Sequence, residues 1–428
     1  MAKDHLLCSL DIGSTKIATL IATLSQEDAI PKPHIIGVST IPSRGIRKGQ
    51  VVDIEETVEA ISESMDAAER MAGCSVSDVH LSIGGSHIES QNSHGVVAVG
   101  NPKGEINAAD VERVVEAAKA ISLPSTREML HVVPREYVVD GQKGIKDPIG
   151  MTGVRLEVDT HIIHGSTTNL QNLTKCIREV GVDVAGIVFN GIADAEAVLS
   201  ETEKELGVVL VDIGGGTIDM VIFVEGAPAY SSVLPVGARN ITNDIAVGLR
   251  VSLETAEKIK LELSKPPDQA MEEAGASTVS RLREKDMLDL SHLGAEADLR
   301  RISRKTLTEG IIRPRIEEIF TFIQLEIQKS GFAGTTPSGI VMTGGGSSSY
   351  GLVELGRRQI GMQVRIGVPS GMTGLVDEIL TPAYSTPVGL VLYAGGLLSK
   401  EGGRSPFPRI QLGGVMGKGM DWLKNLLP

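Results

Sequence analysis

Leu6-Leu-Cys-Ser-Leu-Asp-Ile-Gly-Ser-Thr-Lys-Ile-Ala-Thr-Leu-Ile-Ala-Thr-Leu24 opens the chain, and Val208-Val-Leu-Val-Asp-Ile-Gly-Gly-Gly-Thr-Ile-Asp-Met-Val-Ile-Phe-Val224 repeats its plan near the middle. In each, an apolar run (6–10, 208–211) reads as a buried strand, an Asp-x-Gly segment (11–15, 212–217) as a turn, and a second run (16–24, 218–224) as the returning strand. One D-x-G-[ST] is a common accident. Two in the same setting imply a chain of two related halves. The turns also suit a phosphate clamp, which two ordinary hairpins would not need. Glycine lets backbone N–H groups approach phosphate oxygens, Ser14, Thr15 and Thr217 add hydroxyls, and the strand-end Asp11 and Asp212 are placed to hold Mg²⁺ through water.

Composition fits an aliphatic α/β nucleotide binder. Of 428 residues, 41% are hydrophobic and 22% charged, which allows a large core over two to three domains and excludes global disorder. Glycine is in excess at 49 residues, and aromatics are few. With 41 Lys+Arg against 54 Asp+Glu, the net charge of −13 excludes a protein that coats nucleic acid through a broad basic surface. Cys8, Cys74 and Cys176 are odd in number and far apart, so neither a disulfide framework nor a zinc site is indicated and a reducing cytosol is expected. The apolar stretch before Asp11 is too short for a signal peptide, and no apolar run approaches the roughly 18 residues of a spanning helix.

Between the two hairpins, Asn107 reads as the N-cap of a helix with Asp110 at its third position and an apolar stripe at Val111, Val114, Val115, Ala118 and Ile121. Strand-like runs flank it at 96–99 and 130–139, so 84–160 reads as an inserted α+β module. Residues 253–263 and 316–327 read as helices. Thr343-Gly-Gly-Gly-Ser347 follows the apolar run 340–342, and its missing side chains would let a flat adenine lie on the backbone. Glu257 and Lys260, three apart on one helix face, offer an acceptor and a donor for ribose hydroxyls, or an ordinary surface ion pair. No G-x-x-x-x-G-K-[ST] is present, and no G-x-G-x-x-G opens a helix after a strand. Histidines cluster between His80 and His164, but His161 and His164 would face opposite sides of a strand, which argues against a metal site.

The order D-I-G-S-T, D-I-G-G-G-T, T-G-G-G-S, with small-residue helices at 191–199 and 387–396, resembles the actin, Hsp70 and sugar-kinase superfamily. Within it, His131-Val-Val-Pro-Arg-Glu-Tyr137, Asp147-Pro-Ile-Gly-Met-Thr-Gly-Val-Arg-Leu-Glu157, Val236-Gly-Ala-Arg-Asn-Ile-Thr-Asn-Asp-Ile-Ala246 and Ala256-Glu-Lys-Ile-Lys260 resemble the FtsA family of bacterial cell-division proteins. The resemblance covers nearly the whole chain. It implies an actin-like, Hsp70-like duplicated α/β nucleotide-binding fold with an inserted α+β subdomain and a C-terminal amphipathic helix. The implied subdomains are 1–83 (completed by 161–205 and 385–399), the insert 84–160, 206–235 (completed by 306–384) and 236–305, then a flexible linker 400–411 and a membrane-targeting helix 412–428. It implies ATP lined by Gly13, Ser14, Thr15, Lys16, Gly214, Gly215, Gly216, Thr217, Glu257, Lys260, Gly344, Gly345 and Gly346, with Asp11 and Asp212 serving Mg²⁺ through water.

The same resemblance implies head-to-tail filaments, attachment of FtsZ filaments (the Z ring) to the cytoplasmic face of the cell membrane at the division site, and recruitment of later division proteins through 84–160. Nucleic acid is not an expected partner. Asn190 stands before Gly191 where actin-like relatives tend to carry Glu or Gln to position water. Asn is shorter and not a base, so at most slow ATP hydrolysis is expected. Two alternatives use the same clamp: a soluble small-molecule kinase of the superfamily, and an FtsA-like pilus-assembly scaffold. Neither needs an amphipathic tail.

Residues 299–315 hold six Lys/Arg and one Glu in a chain of −13. Arg300, Arg301, Arg304 and Lys305 are therefore expected to receive the carboxylate-bearing FtsZ C-terminal tail. At about 100° per residue, Val415, Met416, Met420, Trp422, Leu423, Leu426 and Leu427 gather on one helix side, opposite Lys418, Asp421, Lys424 and Asn425. Gly402, Gly403, Pro406 and Pro408 detach this helix from the fold. Its small net charge makes apolar insertion, more than charge attraction, the source of membrane affinity.

Overall fold

The computed structural model describes residues 5–24, 32–101, 103–264, 286–289 and 301–401. Its first part is an antiparallel meander, β1 (His5–Ile12), β2 (Lys16–Leu24) and β3 (His34–Pro42), followed by α1 (Ile54–Ala72) and β4 (Asp78–Ile83). The runs are apolar without alternation because both sheet faces are covered; residues 17–22 of β2 are all buried. Asp53 caps α1 by accepting from Glu56 N–H, a contact that contributes about 1 kcal/mol, and left-handed Gly73 closes the helix. The helix lies so close to the sheet that a Cβ on Gly37 would stand 2.6 Å from Ala68 O.

The chain then leaves this sheet and builds the inserted module from β5 (Glu89–Ala98), α2 (Ala108–Lys119), β6 (Arg127–Val139), β7 (Gln142–Ile145) and β8 (Arg155–Ser166). The strands pair antiparallel in the order β5-β8-β6-β7. Asn107 caps α2 and Asp110 completes a capping box, as the sequence predicts. Val114, Val115 and Ala118 enter the module's core with Val132, Leu156, Val158 and Ile162. The strands outrun the apolar stretches that announce them. The first part of β5 is polar because its side chains form hydrogen bonds instead of burying carbon, Ser90 and Asn92 to the second half and Ser93 and His94 within the module.

After α3 (Thr167–Glu179), β9 (Asp183–Phe189), α4 (Asn190–Val198) and α5 (Glu201–Leu206), the plan repeats. A second meander, β10 (Val208–Ile213), β11 (Ile218–Val224) and β12 (Ala227–Leu234), is followed by α6 (Ala238–Leu249), α7 (Leu253–Ser264) and α8 (Arg313–Lys329). Then come β13 (Ile340–Thr343), α9 (Leu352–Ile360), β14 (Val364–Ile366), β15 (Thr373–Gly374) and α10 (Ser385–Glu401). One sheet runs β9-β4-β1-β2-β3-β15, the other β14-β13-β10-β11-β12. In both, a meander is extended beyond its first strand by two parallel strands. This shared topology is the duplication that the hairpins announce.

Contacts away from the two turns also join the halves. Each copy ends in a small-residue helix, α4 or α10, and the two pack backbone to backbone: a Cβ on Gly389 would lie 1.9 Å from Ala193 O. Arg365 of β14 donates twice to Glu203 at 2.7 Å and once to Val198 O at 2.8 Å. That guanidinium contact pulls the Glu203 carboxyl down to about 2. The inserted module rests on β12 through Ser90 Oγ to Ser231 O (2.7 Å), Asn92 Nδ2 to Ala229 O (3.1 Å), and His161 between Asn92 Oδ1 (2.8 Å) and Ser231 Oγ (2.9 Å). Burial pushes the His161 imidazole down to about 3, so it stays neutral with one donor and one acceptor nitrogen. No helix among the described residues is long and apolar enough to cross a membrane. The linker expected over 400–411 starts too early, because α10 continues through Glu401; the rest of it and the helix over 412–428 lie outside the described residues.

Candidate nucleotide cleft

The two turns close with the same bond, Gly13 N–H to Lys16 O at 2.9 Å and Gly214 N–H to Thr217 O at 3.0 Å. They touch each other, one bringing side chains where the other has none. A Cβ on Gly215 would lie 2.3 Å from Thr15 Cγ2, and one on Gly216 would lie 2.7 Å from Ser14 Oγ. Here glycine answers the approach of the opposite turn, not a left-handed backbone. Ala238 and Arg239 N–H donate to Gly214 O and Gly215 O at 2.9 Å, so α6 starts directly on the second turn.

Each copy also places a glycine loop beside its aspartate. Thr343 of β13 pairs with Asp212, and Gly344 to Gly346 follow. Gly344 is left-handed at φ +79°, and a Cβ there would fall 1.8 Å from Asp212 Oδ1. In the first copy, Ser82 of β4 donates to Asp11 Oδ1 at 2.8 Å, and Gly84-Gly85 follow. The sequence reading omitted this pair, although Leu81-Ser-Ile-Gly-Gly-Ser86 parallels Val341-Met-Thr-Gly-Gly-Gly-Ser347.

Asp11 and Asp212 are joined by two further buried acids that the sequence reading did not single out. Asp219 stands directly across the hairpin from Asp212, and Asp194 comes from α4. Their signal was an isolated charge, in an apolar strand for Asp219 and on a small-residue helix for Asp194. Asn190 Nδ2 donates to Asp219 Oδ2 at 3.3 Å, and Thr386 Oγ1 to Asp194 Oδ1 at 2.9 Å. Asp212 Oδ1, Asp219 Oδ1, Asp194 Oδ2 and Asn190 Oδ1 are buried without a hydrogen-bond partner. Burial, and then neighbouring negative charge, raises the carboxyls of Asp194, Asp212 and Asp219, with Asp212 at about 7. Burial raises Asp11 too, opposed by Lys16 and the Ser82 hydroxyl. Lys16 is the cation of the group; it donates to Ala383 O and lies 4.2 Å over the Tyr384 ring. Among the described residues, no group of three or more His, Cys, Asp or Glu converges on a metal position.

Glu257 and Lys260 form an ion pair at 2.8 Å, and both bond Thr242 Oγ1, one turn along α6 from the second phosphate turn. In the basic stretch, Arg313 is paired with Glu309 and Glu317, and Arg315 with Asp244 and Glu318. The uncompensated charge of that stretch is therefore smaller than its composition suggests. Arg301, Arg304 and Lys305 carry it, on a short strand and the turn of helix after it, with no ion pair among the described residues. Arg300 and the expected membrane residues Val415, Met416, Met420, Trp422, Leu423, Leu426 and Leu427 lie outside the described residues.

Comparison with known proteins agrees with this architecture. Residues 85–164 match the family model "SHS2 domain inserted in FTSA", and 209–389 match "Cell division protein FtsA". Cell division protein FtsA of Pseudomonas aeruginosa is 40% identical, over 94% of this chain and 91% of its own length. Among solved structures, the PilM-PilN type IV pilus biogenesis complex superposes with a TM-score of 0.62, covering 91% of this chain and 98% of that one at 15% identity. MreB5 of Spiroplasma citri bound to ADP gives 0.51, covering 94% and 99% at 13% identity. These two likenesses establish the actin-like fold alone. The 40% identity over almost the full length of both chains goes further, and this chain belongs to the FtsA family of actin-like cell-division proteins.

Proposed function

We propose that this chain binds ATP with Mg²⁺ between its halves, assembles head to tail, and holds FtsZ filaments at the cytoplasmic face of the cell membrane at the division site. The observation that carries the reading is the contact of the two Asp-x-Gly turns, Thr15 on Gly215 and Ser14 on Gly216. It brings the two glycine turns and the hydroxyl-bearing Ser14, Thr15 and Thr217 together, which supports reading this place as a phosphate site. The donor set fits a hydrated dication, since Asp212 Oδ1 and Asp219 Oδ1 are buried carboxylate oxygens without partners, close to Asp11. Bound there, Mg²⁺ would neutralise charge on the phosphates. Asn190, committed to Asp219 and not a base, supports slow turnover.

Arg301, Arg304 and Lys305 are the cations available for the acidic FtsZ tail, and the insert 84–160 is the proposed surface for later division proteins. Membership in the FtsA family favours this reading over a soluble kinase or a pilus scaffold. Calorimetry with MgATP tests the cleft: Asp212→Ala combined with Gly345→Asp should abolish retention, and unchanged affinity rejects the assignment. Co-sedimentation with liposomes and FtsZ tests the rest. Loss of residues 412–428, or Trp422→Glu, should release the chain from liposomes at moderate salt, whereas Arg301→Glu with Arg304→Glu should weaken only the FtsZ contact, by most at low salt and by less as salt screens the charges.

A further inference from the structure

Between β3 and α1, Ile46–Arg47 and Gln50–Val51 pair antiparallel around a two-residue tip, Lys48-Gly49. Both tip residues are left-handed, at φ +50° and +71°. Asn-Gly is the usual occupant of such a tip, because Gly and Asn tolerate the left-handed backbone that most side chains disfavour. Here a lysine takes the position. The tip wedges between three of the cleft's loops. Gly49 N–H donates to Ser14 Oγ at 3.0 Å, on the first phosphate turn. A Cβ on Gly49 would lie 2.8 Å from Gly84 O and Gly85 Cα, and one on Gly216 would lie 3.2 Å from Lys48 Cα. Lys48 thus stands where both phosphate turns and the first-copy glycine loop meet.

Its charge is free. Lys48 is exposed and has no ion pair or hydrogen bond among the described residues, while Arg44 is paired with Glu63 at 2.9 Å and Lys16 is engaged by Ala383 and Tyr384. If the base rests on the second-copy loop Gly344 to Gly346, the far end of the phosphate chain points toward the first-copy loop Gly84-Gly85, which the Lys48-Gly49 tip covers.

We propose that Lys48 binds the terminal phosphate of a nucleoside triphosphate and makes the cleft discriminate triphosphate from diphosphate. The inference rests on the nucleotide reading above. A compact ammonium on a flexible stem suits this contact, since the third phosphate brings charge that the diphosphate lacks.

The test is titration of the full chain with MgATP and MgADP. Lys48→Gly removes the amine and keeps a residue that accepts the left-handed backbone, so the tip's geometry is preserved. ATP affinity should fall about tenfold with ADP affinity unchanged, the size of one lost hydrogen bond between charged groups. Lys48→Arg should restore much of the preference. Arg47→Ala, one residue earlier and also exposed, should leave it unchanged; an equal effect there would assign the preference to a diffuse basic field and overturn the contact. Unchanged ATP affinity in Lys48→Gly, or equal loss for both nucleotides, overturns the Lys48 assignment and leaves the cleft standing. A parent chain that binds neither nucleotide overturns both.

Discussion

The two phosphate turns share a frame and differ in what they carry. In the first, Asp11-Ile-Gly-Ser-Thr-Lys16, two hydroxyls and a cation follow the glycine, and Ala18 stands across the hairpin from Asp11. In the second, Asp212-Ile-Gly-Gly-Gly-Thr217, the side chains are stripped away, and Asp219 stands across from Asp212. Two copies of the first turn could not touch as these do, because each would place a side chain where the other has one. Nor are the aspartates equal. Lys16 attracts both, but Asp11 is held by Ser82, whereas Asp212 keeps an unpartnered oxygen and is raised by the like charge of its neighbours. Duplication accounts for the frame; divergence made one copy the ridge and the other the groove.

The largest expected effect comes from the glycine loops. Gly344→Ala forces a left-handed alanine whose Cβ meets Asp212 Oδ1 at 1.8 Å and Ile213 O at 2.7 Å, so backbone must move. A loss of about 2–4 kcal/mol in denaturant unfolding is expected, with MgATP retention abolished. The first-copy counterpart, Gly84→Ala, meets the end of the Asn190 side chain at 2.6 Å, whose displacement sacrifices one long hydrogen bond to Asp219 but moves no backbone. It should cost clearly less, and equal costs would break the asymmetry between the copies.

A smaller effect tests the contact of the turns directly. Gly215→Ala should destabilise by about 1–3 kcal/mol, because its new carbon meets Thr15. Thr15→Gly removes all three atoms nearest to that carbon, so the double variant should recover part of the loss, with a coupling of about 1 kcal/mol in a double-mutant cycle. Strict additivity would mean that the turns do not touch.

The smallest effect separates the aspartates by pH. A carboxyl raised from 3.8 to about 7 keeps its proton in the folded state after the unfolded chain has lost it. Stability without ligand should therefore decline as pH rises through that window. Asp212→Asn removes this contribution, so the stability of the parent relative to the variant should fall between about pH 4 and 7, and by less when MgATP is bound. Identical pH profiles for parent and variant would show that Asp212 does not titrate in this range. Asp11→Asn should show a weaker trend, since Lys16 and Ser82 oppose the effect of burial there.

The sequence by itself determined the elements whose causes lie within a few residues. Both D-x-G hairpins, the capped helix after Asn107 and the α8 helix stand where strand patterning, cap chemistry and helical period put them, and the small-residue helices α4 and α10 stand where the resemblance put them. Arg301, Arg304 and Lys305 were legible as basic residues; that Arg313 and Arg315 are neutralised was not, because Asp244 is remote in the chain and the helix rotation selects Glu309, Glu317 and Glu318. The polar first half of β5 also escaped a reading tuned to buried faces. Only the tertiary structure decided that Asp194 and Asp219 share a buried space with Asp11 and Asp212, that Gly84-Gly85 repeats Gly344 to Gly346, and that Lys48 closes over both turns. The physical reason is the same in each case. These neighbours are set by strand register and by the packing of one copy on the other, so an isolated acid or glycine pair acquires its chemical meaning from a partner that no local pattern names.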